Sequence, residues 1–173
     1  MAAMLMGAWS LQSCDNEPTK EVWLDEFGQD SCYVQDWGML EVNRSVVHTP
    51  LTVNGVVYER GLGAHSISRL LYDLDGKAVS ISGLAGADDK NLFAGKLQFK
   101  ILGDKKELWK SGVMQKGDPV KEFNVNLKGV DKVLLLVEEC GDGIMYDHAD
   151  WLNVKITTRG DVKPVPALSL IHI

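Results

Sequence analysis

Apolar and polar residues alternate along much of this chain, and the alternation predicts strands. Leu97, Phe99 and Ile101 are interleaved with Gln98 and Lys100, and Phe123, Val125 and Leu127 with Asn124 and Asn126. A period of two sends neighbouring side chains to opposite faces, so each run has one buried and one wet face. Val79-Ser80-Ile81-Ser82 repeats the pattern more briefly. Val133–Val137 is apolar throughout and reads as a central strand covered on both faces. Leu51-Thr52-Val53 and Val56-Val57-Tyr58 flank Asn54-Gly55, a dipeptide suited to a two-residue hairpin turn. Turn residues recur at roughly the 8–12-residue spacing of small β domains, and no segment sustains a helical period. The expected fold is all-β, an antiparallel β-sandwich.

Between Phe27 and Pro50 the pattern fails. This stretch carries Gly28, Tyr33, Trp37 and Gly38 among many polar residues, and its length predicts a functional or metal-organised loop. A second irregular stretch, Gly141-Asp142-Gly143-Ile144-Met145-Tyr146-Asp147-His148-Ala149-Asp150-Trp151, lies between two strand-like runs. Its glycines free the backbone, its Asp and His side chains supply acceptors and donors, and its Trp supplies a flat apolar face. That mixture suits a polyhydroxylated ligand or a hard metal ion.

Composition narrows the choice. The chain has 173 residues, 45% of them hydrophobic, which is enough for one domain with a proper core. A net charge of -6 without any basic cluster argues against a nucleic-acid partner. No apolar run approaches the roughly 20 residues of a membrane-spanning helix. Leu11-Gln12-Ser13-Cys14 resembles a bacterial lipobox, although no Lys or Arg precedes the apolar Met1–Ser13 segment. The expectation is an exported lipoprotein, periplasmic or on the outer surface, that touches the membrane only through lipid on Cys14. Leu168–Ile173 reads as the translation of a sequencing adaptor, which implies a longer natural chain. The expected organisation is a signal-like segment and tether over 1–20, a sandwich over 21–158, a linker over 159–167 and the adaptor-derived 168–173. Cys32 and Cys140 form an even pair whose meeting sequence does not decide.

Several motifs follow one another in order: Tyr58-Glu59-Arg60-Gly61-Leu62-Gly63-Ala64-His65, then Leu71-Tyr72-Asp73-Leu74-Asp75-Gly76 and Gly86-Ala87-Asp88-Asp89. Gly103-Asp104, Leu108-Trp109-Lys110-Ser111-Gly112, Gly141-Asp142-Gly143 and Asp147-His148-Ala149-Asp150-Trp151 complete the set. From about Val22 to Thr157 the chain resembles the NPCBM domain, carbohydrate-binding module family 51. The resemblance implies a galactose-binding-like jelly roll with a structural calcium ion and loops that bind terminal galactose-type sugars. It also implies a monomeric N-terminal module of a larger glycoside hydrolase, such as an α-galactosidase, whose catalytic domain is absent from this chain.

With the resemblance in hand, the expected carbohydrate-binding residues are His65, Asp88, Asp89, Asp147, His148, Asp150 and Trp151. Asp25, Asn43 and Asp150 are the expected calcium ligands, and no residue is assigned a catalytic role. Trp151 is the first candidate for the sugar platform, a core position being the alternative, and Trp37 is the second candidate. His65 is either a ligand contact or a satisfied structural histidine. Asp88-Asp89 either accept from sugar hydroxyls or cap a turn. Two rival functions remain. One is a small glycosidase using two of Asp147, Asp150, Asp88 and Asp89, which would need a fixed carboxylate separation across a cleft. The other is a cell-surface protein-interaction sandwich.

Overall fold

The computed structural model describes residues 17–160, apart from 31 and 94, together with residues 165–166. Cys14, the signal-like segment and the adaptor-like tail lie outside the described residues. Strand β13 (His148–Arg159) is the spine of the first sheet. On one side it pairs with β8 (Ala78–Ala87); on the other it pairs first with β6 (Gly61–His65) and then with β1 (Thr19–Trp23), all antiparallel. Beyond them lie β11 (Lys121–Asn126) and β3 (Glu41–Val42), giving the order β11–β8–β13–β6–β3. The second sheet runs β10 (Lys106–Met114), β9 (Leu97–Gly103), β12 (Lys132–Glu139), β7 (Ser68–Asp73), β14 (Val165–Pro166), with β2 (Cys32–Gln35) also on β7. The sandwich expected from the alternation is the fold observed.

Why these residues form these strands is visible in the burial. Leu97, Phe99 and Ile101 point into the core while their polar neighbours stay partly wet, as do Phe123 and Val125 against Asn124 and Asn126. The wholly apolar Val133–Val137 occupies a central position between β9 and β7. Its odd-numbered residues join the main core, and Leu134 and Leu136 pack with Leu71 in a separate cluster. Asn54 and Gly55, both at positive φ, close the predicted hairpin of β4 (Leu51–Val53) and β5 (Val56–Tyr58). Leu51 and Val53 pack on Leu152 of β13, so the hairpin caps the outer face of the first sheet.

The alternation along β13 decides the fate of the second irregular stretch. The strand begins at His148, not at Leu152 as the sequence suggests, so His148 to Trp151 take alternate faces. Trp151 falls on the core side. Its ring is fully buried and meets Phe99 and Phe123 edge-on, with centroids 4.9 and 5.7 Å away. The sugar-platform role expected of Trp151 is therefore corrected: it is the centre of the core. Trp23 is also taken, its ring lying 4.4 Å from both the Arg60 guanidinium and the Lys155 ammonium. Cys140 carries a free thiol.

Candidate functional site

Two strand ends create the site. His65 closes β6, His148 opens β13, and they are direct cross-strand partners, so their side chains stand side by side. Their ring centroids are 5.6 Å apart. Trp37, on the loop after β2, lies 5.0 Å from the His65 ring and is stacked at 5.8 Å and 7° on the His148 ring. The imidazoles are only 3% and 8% exposed, whereas Trp37 is 48% exposed. Gln35 holds this loop in place: its amide nitrogen donates to the Trp37 carbonyl and its amide oxygen accepts from the His65 N–H. Gly38, at positive φ, packs so closely on Val46 that a Cβ would lie 2.8 Å from a Val46 methyl.

The three rings form one wall of a cavity of about 590 Å³. Val47 and Thr49 line it from the loop before the hairpin, Lys90 and Leu92 from the loop after β8, and Ile144, Met145 and Tyr146 from the loop after β12. No carboxylate is among the lining residues. The acids nearby are turned to other work. Asp89 accepts from the amides of Asn54 and Gly55, and Asp88 from those of Lys90 and Thr52. Asp142 accepts from the Lys96 amide, and buried Asp147 from the Ser66 hydroxyl.

Of the expected carbohydrate-binding residues, then, the structure brings His65 and His148 to the cavity wall. Asp147 lies at the base of the loop, fixing the Ser66 turn rather than facing the cavity. Asp89 is a hairpin cap. Asp88 and Asp150 are fully buried on the outer face of the first sheet beneath the hairpin. Asp150 sits between Gly63 and Gly86 in the register. No donor reaches either of its oxygens. Burial, with the Asp88 carboxylate beside it, pushes its pKa well above the ordinary range.

Two of the three residues expected to hold calcium have other partners. Asp25 is paired with Arg60, whose Nη2 lies 2.9 Å away. Asn43 spends its side-chain oxygen on the Gly61 amide. Asp150 is fully buried beneath the hairpin. Among the described residues no group of three or more His, Cys, Asp or Glu is arranged to hold an ion.

Asn91 is a residue that sequence reasoning missed. Fully buried, it accepts from the His148 N–H and donates to the His148 carbonyl, a two-point clamp on the backbone of one residue. Lys116 in turn donates to the Asn91 carbonyl. An Asn inside a polar loop gives no sequence signal for this, because the partner is 57 positions away.

The electrostatics keep both imidazoles neutral. Burial lowers the His65 pKa, opposed by the Ser66 carbonyl and the charge of Asp36. Burial and the neighbouring His65 lower that of His148, opposed by Asp88. His65 Nδ1 lies 2.6 Å from the Ser66 carbonyl, which can only accept; the proton is on Nδ1, and neutral His65 presents Nε2 as an acceptor. His148 Nδ1 has no partner in the protein. A half-exposed indole beside two neutral imidazoles can cover the apolar face of a sugar ring and read its hydroxyls.

Residues 20–157 match the family profile described as NPCBM/NEW2 domain. The chain is 29% identical over 130 residues to alpha-1,3-galactosidase B of Akkermansia muciniphila, aligning 73% of this chain with 16% of that enzyme. It is also 29% identical, over 88% of its length, to a putative endo-alpha-N-acetylgalactosaminidase of Renibacterium salmoninarum, of which it spans 11%. Among solved structures, the CBM51 of Clostridium perfringens GH95 in complex with methyl-galactose superposes with a TM-score of 0.71 at 25% identity, covering 79% of this chain and 99% of that one. The Clostridium perfringens ZmpB structure containing an M60 catalytic domain and two CBM51 domains gives 0.73 at 28% identity, covering 82% of this chain and 15% of that one.

Proposed function

Because the chain belongs to the NPCBM/NEW2 domain family as a non-catalytic carbohydrate-binding module, we propose that the cavity framed by Trp37, His65 and His148 binds a terminal galactose-type sugar. The observation that carries this reading is the half-exposed Trp37 ring set against a cross-strand pair of neutral histidines. The related module solved with methyl-galactose supports the choice of sugar. A glycosidase needs two carboxylates flanking the scissile bond. The cavity wall carries none, which favours binding over hydrolysis.

The wider role extends the same reading. The two curated relatives are glycosidases several times longer than this chain, so the module serves to hold a fused glycoside hydrolase near galactose-containing glycans. Modest single-site affinity is sufficient, because tethering raises the effective concentration of substrate at the enzyme. The lipobox-like Leu11-Gln12-Ser13-Cys14 supports an exported lipoprotein anchored through Cys14. A monomer is sufficient for this role.

A glycan array probed with the chain tests the proposal. Selective binding to glycans ending in galactose is expected. A blank array from a folded sample would overturn it.

The histidines also set the pH dependence. Their folded-state pKa values lie below the ordinary 6.5, so both rings are neutral at and above pH 7. The unfolded chain takes up their protons first, so their contribution to stability is present above pH 6.5 and declines as the pH falls below it. Binding should be flat from about pH 7 to 8 and weaken on acidification below about 6.5, as the Nε2 acceptor of His65 is lost. Asp147, raised to about 6 mainly by burial, works oppositely: its contribution is greatest below pH 4 and is lost as the pH rises through 6. Titration calorimetry across pH 5–8 separates the two, since only the histidine effect weakens sugar binding toward acid. Affinity that rises on acidification would contradict the neutral pair.

A further inference from the structure

Beyond its three rings the cavity has an apolar lining. Leu92 and Met145 in that lining are 74% and 72% exposed, with half-buried Ile144 beside them. These side chains come from two loops that are fastened together rather than loose. Lys96 N–H donates to Asp142, Cys140 N–H donates to the Lys96 carbonyl, and Phe93 meets Tyr146 edge-on at 5.0 Å. Gly95 lies so close to the second loop that a Cβ there would sit 2.8 Å from the Met145 carbonyl. An apolar surface held rigid in water costs free energy unless a ligand covers it.

We propose that Leu92, Ile144 and Met145 form a second subsite that takes the N-acetyl group of a hexosamine joined to the galactose-type unit. The inference rests on the sugar-binding reading above and adds the chemistry of the neighbouring unit. Galactose offers one apolar face, which Trp37 covers, and its remaining surface is hydroxyl. An acetamido methyl is the apolar group that a neighbouring amino sugar contributes. Its amide also needs polar partners, and the same cavity supplies them in the Lys90 ammonium and the hydroxyls of Thr49 and Tyr146. Lys90 is the charged side chain of the wall, and its ammonium has no ion pair among the described residues. A volume of about 590 Å³ lies within the range that encloses a ligand of two sugar rings.

Lactose and N-acetyllactosamine make the test clean, because they differ by the acetamido group alone. Calorimetry on the whole chain should show N-acetyllactosamine binding roughly four-fold tighter or more, the value of one methyl-sized group moved onto an apolar wall. Leu92→Ser and Met145→Ser should each bring that ratio toward one. Both side chains are exposed, so the fold should tolerate the changes. Equal affinity for the two disaccharides, or a preference that survives both substitutions, overturns the subsite while leaving galactose binding intact. Failure of galactose itself to bind removes the first reading, and the subsite falls with it.

Discussion

Trp151→Ala should lower the unfolding free energy by about 3–5 kcal/mol, the range for deleting a large buried aromatic. For a domain of this size that corresponds to a fall in Tm of about 10 °C. Trp151 is fully buried at the centre of the sandwich, and its ring is the edge-on partner of both Phe99 and Phe123, which come from opposite sheets. Removing it opens a void between two layers that are joined there. The indole N–H has no protein partner, so the loss is packing rather than a hydrogen bond. Trp151→Phe, which keeps one ring, should cost less than half as much. Sugar affinity of the folded fraction should change little, because Trp151 and the cavity lie on opposite faces of β13. Calorimetric unfolding together with binding at low temperature checks both parts. A variant with unchanged Tm and lost binding would put Trp151 at the ligand, as the sequence first suggests.

The reason the sequence misplaces Trp151 is local and physical. Asp147 to Trp151 are polar enough to read as loop, and no run of apolar alternation announces β13 before Leu152. The strand nevertheless begins at His148, because β6 offers a backbone partner from His148 and β8 from Ala149. Once a strand is imposed, the period of two separates what looked like one cluster. His148 reaches the cavity, Asp150 is buried beneath the hairpin, and Trp151 enters the core. Asp88 and Asp89 separate in the same way, one buried beside Asp150 and the other capping Asn54-Gly55.

The sandwich itself was legible because strands such as β9 and β11 carry their burial pattern within six or seven residues. The hairpin was legible because Asn54-Gly55 favours the positive φ that its turn adopts. The site was legible only in part. His65 stood out through its glycine-rich strand, and those glycines are required: at Gly63 a Cβ would lie 2.3 Å from the Arg44 carbonyl. The contributions of Leu92, Met145 and Asn91 depend on two loops meeting across some 50 positions of sequence. The one available hint was a pair of large apolar residues, Leu92-Phe93, in an otherwise polar loop.

Trp37→Ala should weaken sugar binding by about 2 kcal/mol or more, roughly 30-fold, which for a module of modest affinity means loss of detectable binding. The stability cost should be small, within about 1 kcal/mol, because the ring is half exposed and its loop is fastened independently of it. Gln35 bonds the Trp37 main chain, and Gly38 packs on Val46, so neither anchor depends on the indole. Trp37→Phe should retain part of the affinity, since a smaller ring still covers the apolar face of a sugar. The contrast with Trp151 makes the pair decisive: one tryptophan should govern Tm and the other affinity. Binding that survives Trp37→Ala would remove the stacking platform, and with it the principal support for placing the sugar in this cavity. If affinity falls while Tm holds, the ligand face of Trp37 is assigned, and His65 and His148 are left as the groups that read the hydroxyls at its edge.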